Sequence, residues 1–206
     1  MLVRPSGPAR ILGVRFRPHG ASCVMKLPVS ELTGLVVPLS DVAPTIYGQL
    51  AALREMRSTS EQIAFVNGVL QKFADHAGDD LVAVAVDQFL RAGAEIDVAK
   101  VAADLGLSLR QFERRFKTEV GIGPKLFSRM QRFQRVFQAV TVPSLAWVNV
   151  ASECGYYDQA HLIRDFRDFS GEPPAALLTA ETDLAFHFLQ SRSMSHLSKT
   201  LSSVSA

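Results

Sequence analysis

The stretch Val101-Ala-Ala-Asp-Leu-Gly-Leu-Ser-Leu-Arg-Gln-Phe-Glu-Arg-Arg-Phe-Lys-Thr-Glu-Val-Gly121 reads as a helix, a glycine turn and a second helix. Asp97 is a fitting N-cap for the first helix, and Val98, Val101, Ala102 and Leu105 recur at helical spacing to form one apolar face. Gly106 permits a left-handed turn. Ser108 then caps the next helix and, with Gln111 three residues on, fits a capping box. Phe112, Phe116 and Val120 lie on one stripe four residues apart, which turns Arg110, Glu113, Arg114 and Lys117 outward.

The same pattern returns downstream. Val150-Ala-Ser-Glu-Cys-Gly155 repeats Val101 to Gly106 at an offset of 49, and Leu162, Arg164, Phe166, Gly171 and Pro174 repeat Phe112, Arg114, Phe116, Gly121 and Pro124 at an offset of 50. The one extra residue falls at Tyr156-Tyr157, in a turn, where insertions are tolerated. In this second copy Leu145, Val148, Ala151 and Cys154 sit at core spacing, Gly155 turns, Asp158 caps, and Leu162, Phe166 and Phe169 bury. Gln159, Ala160, Ile163, Arg164 and Arg167 are then outward. Two helices joined by a short glycine turn have helix-turn-helix geometry, whose second helix fits a major groove about 12 Å wide. One such pair also occurs as a plain helical corner; two in register, each with a polar or basic outward face, point to DNA.

Between the copies, Pro124 to Val140 has no internal Gly or Pro. Leu126, Met130, Phe133, Phe137 and Val140 form an apolar seam, while Lys125, Arg129, Arg132 and Arg135 are charged. At 1.5 Å per residue this linker helix is about 25 Å long. It would hold two recognition helices about 34 Å apart, one DNA turn, so that both enter the same face of a duplex.

These residues, with Ala151 to Pro174, resemble the AraC/XylS transcriptional regulators, and the resemblance covers residues 82 to 180. It implies an all-helical domain of two helix-turn-helix units in which outward residues of each second helix read bases. Matched position by position, Arg110, Glu113 and Arg114 are the first reading set and Gln159, Ala160, Ile163 and Arg164 the second. Ala160 and Ile163 depart from a polar reader and leave only contact with a thymine methyl. Arg110 and Arg114 suit guanine bidentately, with a solvated face or phosphate contact as the alternative. Glu113 either accepts from a cytosine amine or pairs with Lys117 four residues on. Lys117, Lys125, Arg129, Arg132 and Arg167 are read as phosphate contacts or solvated charge.

The opening third has strand character, in Ile11 to Phe16, Cys23 to Leu27 and Gly34 to Leu39, punctuated by Pro18, Gly20, Pro28 and Pro38. Gly13-Val-Arg-Phe-Arg-Pro-His-Gly20, Leu27 to Leu32 and Val36 to Leu39 resemble the last part of a domain that precedes the AraC-type module in some bacterial regulators. That resemblance implies the end of a sensory or dimerising region without its front. After Pro44 the pattern becomes helical, over Ile46 to Met56, over Ile63 to Phe73 with Thr59 and Gln62 as a capping box, and over Leu81 to Ala92 ending at Gly93.

The expected fold is mainly α: two helix-turn-helix units on a linker helix, preceded by a small, incomplete β-containing region. Its divisions are residues 1–45, a helical connector 46–80, the DNA-binding domain 81–180 and a serine-rich tail 181–206, expected to be disordered.

Composition fits this reading. The 206 residues are 48% hydrophobic and 20% charged, with a net charge of +2. Within that near balance, Arg110 to Arg135 holds eight basic residues against Glu113 and Glu119 alone, as a surface for an anionic partner or a solvated face would. The apolar run Leu81 to Val86 is far short of a membrane span, and the N-terminus lacks a secretory signal, so an intracellular protein is expected, and the family resemblance implies a cytoplasmic, nucleoid-associated bacterial one. Cys23 and Cys154 are two separate thiols. His19, His76, His187 and His196 share no spacing with each other or a cysteine, so neither metal nor cofactor is expected, and no hydrolase, phosphate-loop or zinc-protease motif marks an enzyme. His161 and Trp147 are read as structural, and Tyr156 and Tyr157 as turn packing with a phosphate hydrogen bond as the alternative.

The expected function is sequence-specific regulation of transcription with double-stranded DNA as partner; RNA polymerase and a small-molecule effector stand as open partners. The competing reading is a protein-interaction module that kept the fold and lost specific DNA binding, favoured by the near-neutral charge and the apolar second reader.

Overall fold

The computed structural model describes residues 12–74, 81–92, 96–139 and 147–174. Among them every regular element is helical: α1 (Gly20–Met25), α2 (Leu39–Val42), α3 (Pro44–Leu50), α4 (Thr59–Ala74), α5 (Leu81–Ala92), α6 (Val98–Asp104), α7 (Leu109–Val120), α8 (Pro124–Ala139), α9 (Trp147–Glu153) and α10 (Gln159–Ser170), with 3-10 turns at Val29–Glu31 and Ala51–Arg54. No described helix is long and apolar enough to cross a membrane. The expected strand start at Ile11, the cap Gly93, the seam residue Val140, the core position Leu145 and the tail from 181 lie outside the described residues.

Among the described residues the three expected strands are absent. Cys23 to Met25 belongs to α1, where Lys26 N–H donates to the Ser22 carbonyl at 3.0 Å, and Leu12 to Phe16 and Gly34 to Pro38 run as irregular backbone. β propensity in these runs yields to pairing: a strand with no neighbour leaves its N–H and C=O groups without a ladder, whereas a turn of helix satisfies them locally. Pro18, Pro28 and Pro38 each remove a donor that a ladder needs.

The chain divides into two compact units, Met1–Gln88 with Val98–Pro124 and Phe89–Asp97 with Lys125–Ala206. In the first, Val24, Ala43, Ile46 and Val69 form a buried cluster, with Phe16, Leu39, Leu50, Phe65, Leu70 and Phe73 packed on it. Proline opens α3 at a position whose N–H would be unused. At α4 the cap is Ser58 rather than Thr59: Glu61 N–H donates to Ser58 Oγ at 3.4 Å, while the Gln62 side chain reaches back to the Met56 carbonyl at 2.9 Å. Val82, Ala85 and Val86 of α5 are buried.

The core of the second unit is Phe133 and Val136 of α8, Val150, Ala151 and Cys154 around α9, Tyr156, and Leu162 and Phe166 of α10. Aromatic edges lock it, with Phe133 4.8 Å from Phe166 and 5.2 Å from Phe169 between ring centres. Trp147 packs on this core 6.4 Å from Phe166, as expected of a structural tryptophan. Three positions differ from expectation. The inward face of α9 is Trp147, Val150, Ala151 and Cys154, spaced i, i+3, i+4, i+7, so Val148 lies one step off it and is 63% exposed. Along α8 the buried apolar side chains of the expected seam and its neighbours include Phe127, Phe133 and Val136, whereas Leu126 is exposed, Met130 is half-buried, and the side chain of Phe137 lies outside the described residues.

Candidate nucleic-acid interface

Each helix-turn-helix is built by short-range hydrogen bonds that the sequence repeats. In the first copy α6 ends as Leu105 N–H bonds the Val101 carbonyl at 3.2 Å and Leu107 N–H the Ala102 carbonyl at 2.9 Å, around Gly106 at φ +71°. In the second, Cys154 N–H bonds the Val150 carbonyl at 3.0 Å and Tyr156 N–H the Ala151 carbonyl at 2.8 Å, around Gly155 at φ +76°. Leu107 and Tyr156 are therefore equivalent, at the offset of 49. The caps Ser108 and Asp158 are equivalent at an offset of 50, which makes Tyr157 the inserted residue. Tyr156 is buried and Tyr157 is 95% exposed, so the pair divides between core and solvent.

Caps then start the second helix of each copy. Ser108 forms the full capping box: Gln111 N–H donates to Ser108 Oγ at 3.4 Å and Ser108 N–H donates to Gln111 Oε1 at 3.1 Å. Asp158 accepts from His161 N–H at 2.6 Å. The His161 ring stands edge-on to Tyr156 at 5.2 Å, a packing role. Both helices end on glycines in the left-handed region, Gly121 bonding the Lys117 carbonyl at 2.9 Å and Gly171 the Arg167 carbonyl at 3.0 Å.

With Phe112 and Phe116 fully buried, α7 exposes Arg110, Arg114, Arg115 and Lys117, and Glu113 is half-buried. The sequence reading passed over Arg115, whose place beside Arg114 on the outward side follows from helical spacing. On α10, Ala160, Arg164 and Arg167 are exposed and Gln159 is partly so, but Ile163 packs against the core. Arg164 folds back, its Nε donating to the Ala160 carbonyl at 3.3 Å.

The arginines of α8 behave differently from Lys125, which is exposed. Arg129 Nε and Nη2 both donate to Asp165 Oδ1, at 3.0 and 2.7 Å, and Nη2 also reaches Asp168 Oδ2. Its guanidinium lies 5.2 Å from the centre of the Phe169 ring. These two carboxylate hydrogen bonds, first that of Asp165, push the Arg129 pKa above its already high ordinary value, so it stays charged throughout. Arg132 lies over the Tyr156 ring at 5.6 Å. Burial pushes the Tyr156 phenol up, and the neighbouring Asp165 carboxylate adds to it. That hydroxyl lies beside Asp165.

Residues 101–180 match the family of helix-turn-helix domains. The HTH-type transcriptional regulator GbdR of Pseudomonas aeruginosa is 30% identical over 79 residues, which is 38% of this chain and 22% of GbdR. The chain thus spans about a fifth of the length of the curated relatives it matches. Among solved structures, an AraC-type transcriptional regulator from Chromobacterium violaceum is similar at 25% identity and a TM-score of 0.43, covering 47% of this chain and 87% of that one. The DNA-binding domain of the global transcriptional factor AdpA, solved with a target DNA, is similar at 28% identity and a TM-score of 0.45, covering 50% of this chain and 93% of that one. The repeated turn, the two caps and the family match together make residues 101–180 a helix-turn-helix domain.

Proposed function

We propose that this chain is a sequence-specific DNA-binding regulator of transcription, placing α7 and α10 in successive major grooves of one duplex. The observation that carries this reading is the pair of turn-and-cap geometries, each starting a second helix whose outward side bears exposed arginine. Arg110 and Arg114 read guanine from α7, with Glu113 beside them. Gln159 and Arg164 carry what polar reading α10 offers, and exposed Ala160 adds apolar contact to a thymine methyl, whereas Ile163, expected among the readers, is turned to the core. Lys117, Lys125 and Arg167, all exposed, meet phosphates. Arg129 and Arg132 are turned to protein partners instead. RNA polymerase and an effector are partners that this reading admits and that no residue described above singles out.

The test is a selection of bound duplexes from a random library at two salt concentrations. Two short motifs about one helical turn apart are expected, with binding that weakens along a log–log salt slope of about −3 for three phosphate contacts. Arg114→Ala is expected to relax one base pair by roughly 1–3 kcal/mol. Binding without any enriched motif would sink the reading. The alternative, a protein-interaction module on this fold, draws on Ile163, whose packing against the core weakens α10 as a reader. It predicts association that salt leaves unchanged.

A further inference from the structure

We infer that Asp165, held by Arg129, is a positioning residue that sets the rotation of α10 about its own axis and thereby aims its outward side chains at a DNA base. The inference rests on the DNA-reading function proposed above. Asp165 is 1% exposed although it follows Arg164, an exposed reader, by one position. Its Oδ1 takes two hydrogen bonds from one guanidinium of α8, and that guanidinium also engages Asp168 and lies over Phe169. Asp165, Asp168 and Phe169 are spaced i, i+3, i+4, so Arg129 grips one line along α10.

The rest of the contact of α10 with its core is made by Leu162, Ile163, Phe166 and Phe169. Apolar burial is non-directional and tolerates a small rotation of the helix. A guanidinium bound through two of its nitrogens does not, because its N–H directions are fixed. Successive side chains on a helix stand 100° apart, so a rotation of a fraction of that step already re-aims Arg164 relative to a base edge without exchanging it for a neighbour.

The repeat shows that the fold does not require this device. Fifty residues earlier, the position of Asp165 is Arg115, which is exposed on α7, while Phe116 and Phe166 keep the same buried role. The first copy forms its helix-turn-helix without a buried carboxylate. The second copy carries one, Asp165, tied to a guanidinium of α8. A core built for stability alone would be better served by apolar residues here, since desolvation offsets much of what a buried ion pair gains. Polar groups kept at such a cost mark a constraint other than stability.

The test exploits that difference. The intact chain, Asp165→Asn, and the double variant Arg129→Met/Asp165→Leu are each subjected to the random-duplex selection, with thermal unfolding measured in parallel. The double variant is expected to unfold at or near the temperature of the parent while base preference at the α10 motif falls roughly tenfold. The α7 motif, read by Arg110 and Arg114, is expected to be unchanged and serves as the internal control. Asp165→Asn is expected to show the same selective loss, and it alone decides the matter if the double variant does not fold. Unchanged preference at both motifs would overturn the positioning role, and so would equal loss at both, which is the mark of a purely structural residue. A parent chain that enriches no motif overturns the regulator reading first and this inference with it, a result separable from the others because it appears before any substitution is made.

Discussion

Gly121 shows how much one residue at the end of α7 depends on sequence-distant contacts. Its φ of +94° is a conformation that side-chain-bearing residues rarely adopt, and it closes α7. Its carbonyl accepts the Thr33 hydroxyl at 2.8 Å, a bond that crosses 88 residues of chain. A Cβ at this position would lie 2.8 Å from Thr33 Oγ1 and 3.3 Å from Val29 Cγ1. Gly121→Ala is therefore expected to cost about 1–2 kcal/mol for the backbone alone, with the clash added to it. Urea unfolding checks this, and the same substitution in a Thr33→Ala background separates the two parts. There the closer clash, with Thr33 Oγ1, is relieved while the backbone cost and the looser contact with Val29 remain; full recovery would mean that φ carries no strain.

At the scale of the element, caps and registers are what decide. Ser108→Ala removes the capping box of α7 and is expected to lower stability by about 1 kcal/mol. The register of α9 gives a sharper contrast. Val148, expected in the core from its spacing with Ala151, is mostly exposed, whereas Val150 is buried. Val148→Thr should shift the urea midpoint negligibly, and Val150→Thr, which buries a hydroxyl of similar shape, should cost about 1–3 kcal/mol. Equal effects at the two positions would refute the observed face. The misreading had a physical source: Leu145 and Val148 satisfy the three-residue spacing with Ala151, but Trp147, Val150, Ala151 and Cys154 satisfy a full two-turn stripe. Seven helical residues offer too few apolar positions for periodicity alone to choose between them.

On the scale of the whole molecule, the two neutral groups buried in the second unit give the fold an alkaline limit. Burial pushes the Cys154 thiol above its ordinary value of 9.0, with Glu153 adding and Arg135 opposing, and burial likewise raises the Tyr156 phenol above 10.0. Both groups are held neutral in the folded chain and ionise more easily when it unfolds. Their contribution is thus complete below about pH 9 and is lost as pH rises beyond it. Denaturant unfolding between pH 8 and 11 is expected to show stability falling from about pH 9. Cys154→Ala should delay the onset toward the tyrosine's ordinary value, about pH 10. A flat profile would contradict the burial of both groups.

What the sequence by itself determined is the part of the protein made by neighbours in the chain. The two glycine turns, the capping box of Ser108, the cap of Asp158 and the buried Phe112, Phe116, Leu162 and Phe166 were all legible, because each depends on residues three to five positions apart. Tertiary structure alone decided the rest. It made helix and irregular chain of an opening third whose residues favour strands, since a strand needs a partner that propensity does not supply. It also sorted the charges: eight basic residues from Arg110 to Arg135 look alike in sequence, yet Arg129 is committed to a carboxylate 36 positions away. A hydrogen bond across that distance leaves no periodic trace, and so which arginines remain for a partner was settled only when the helices packed.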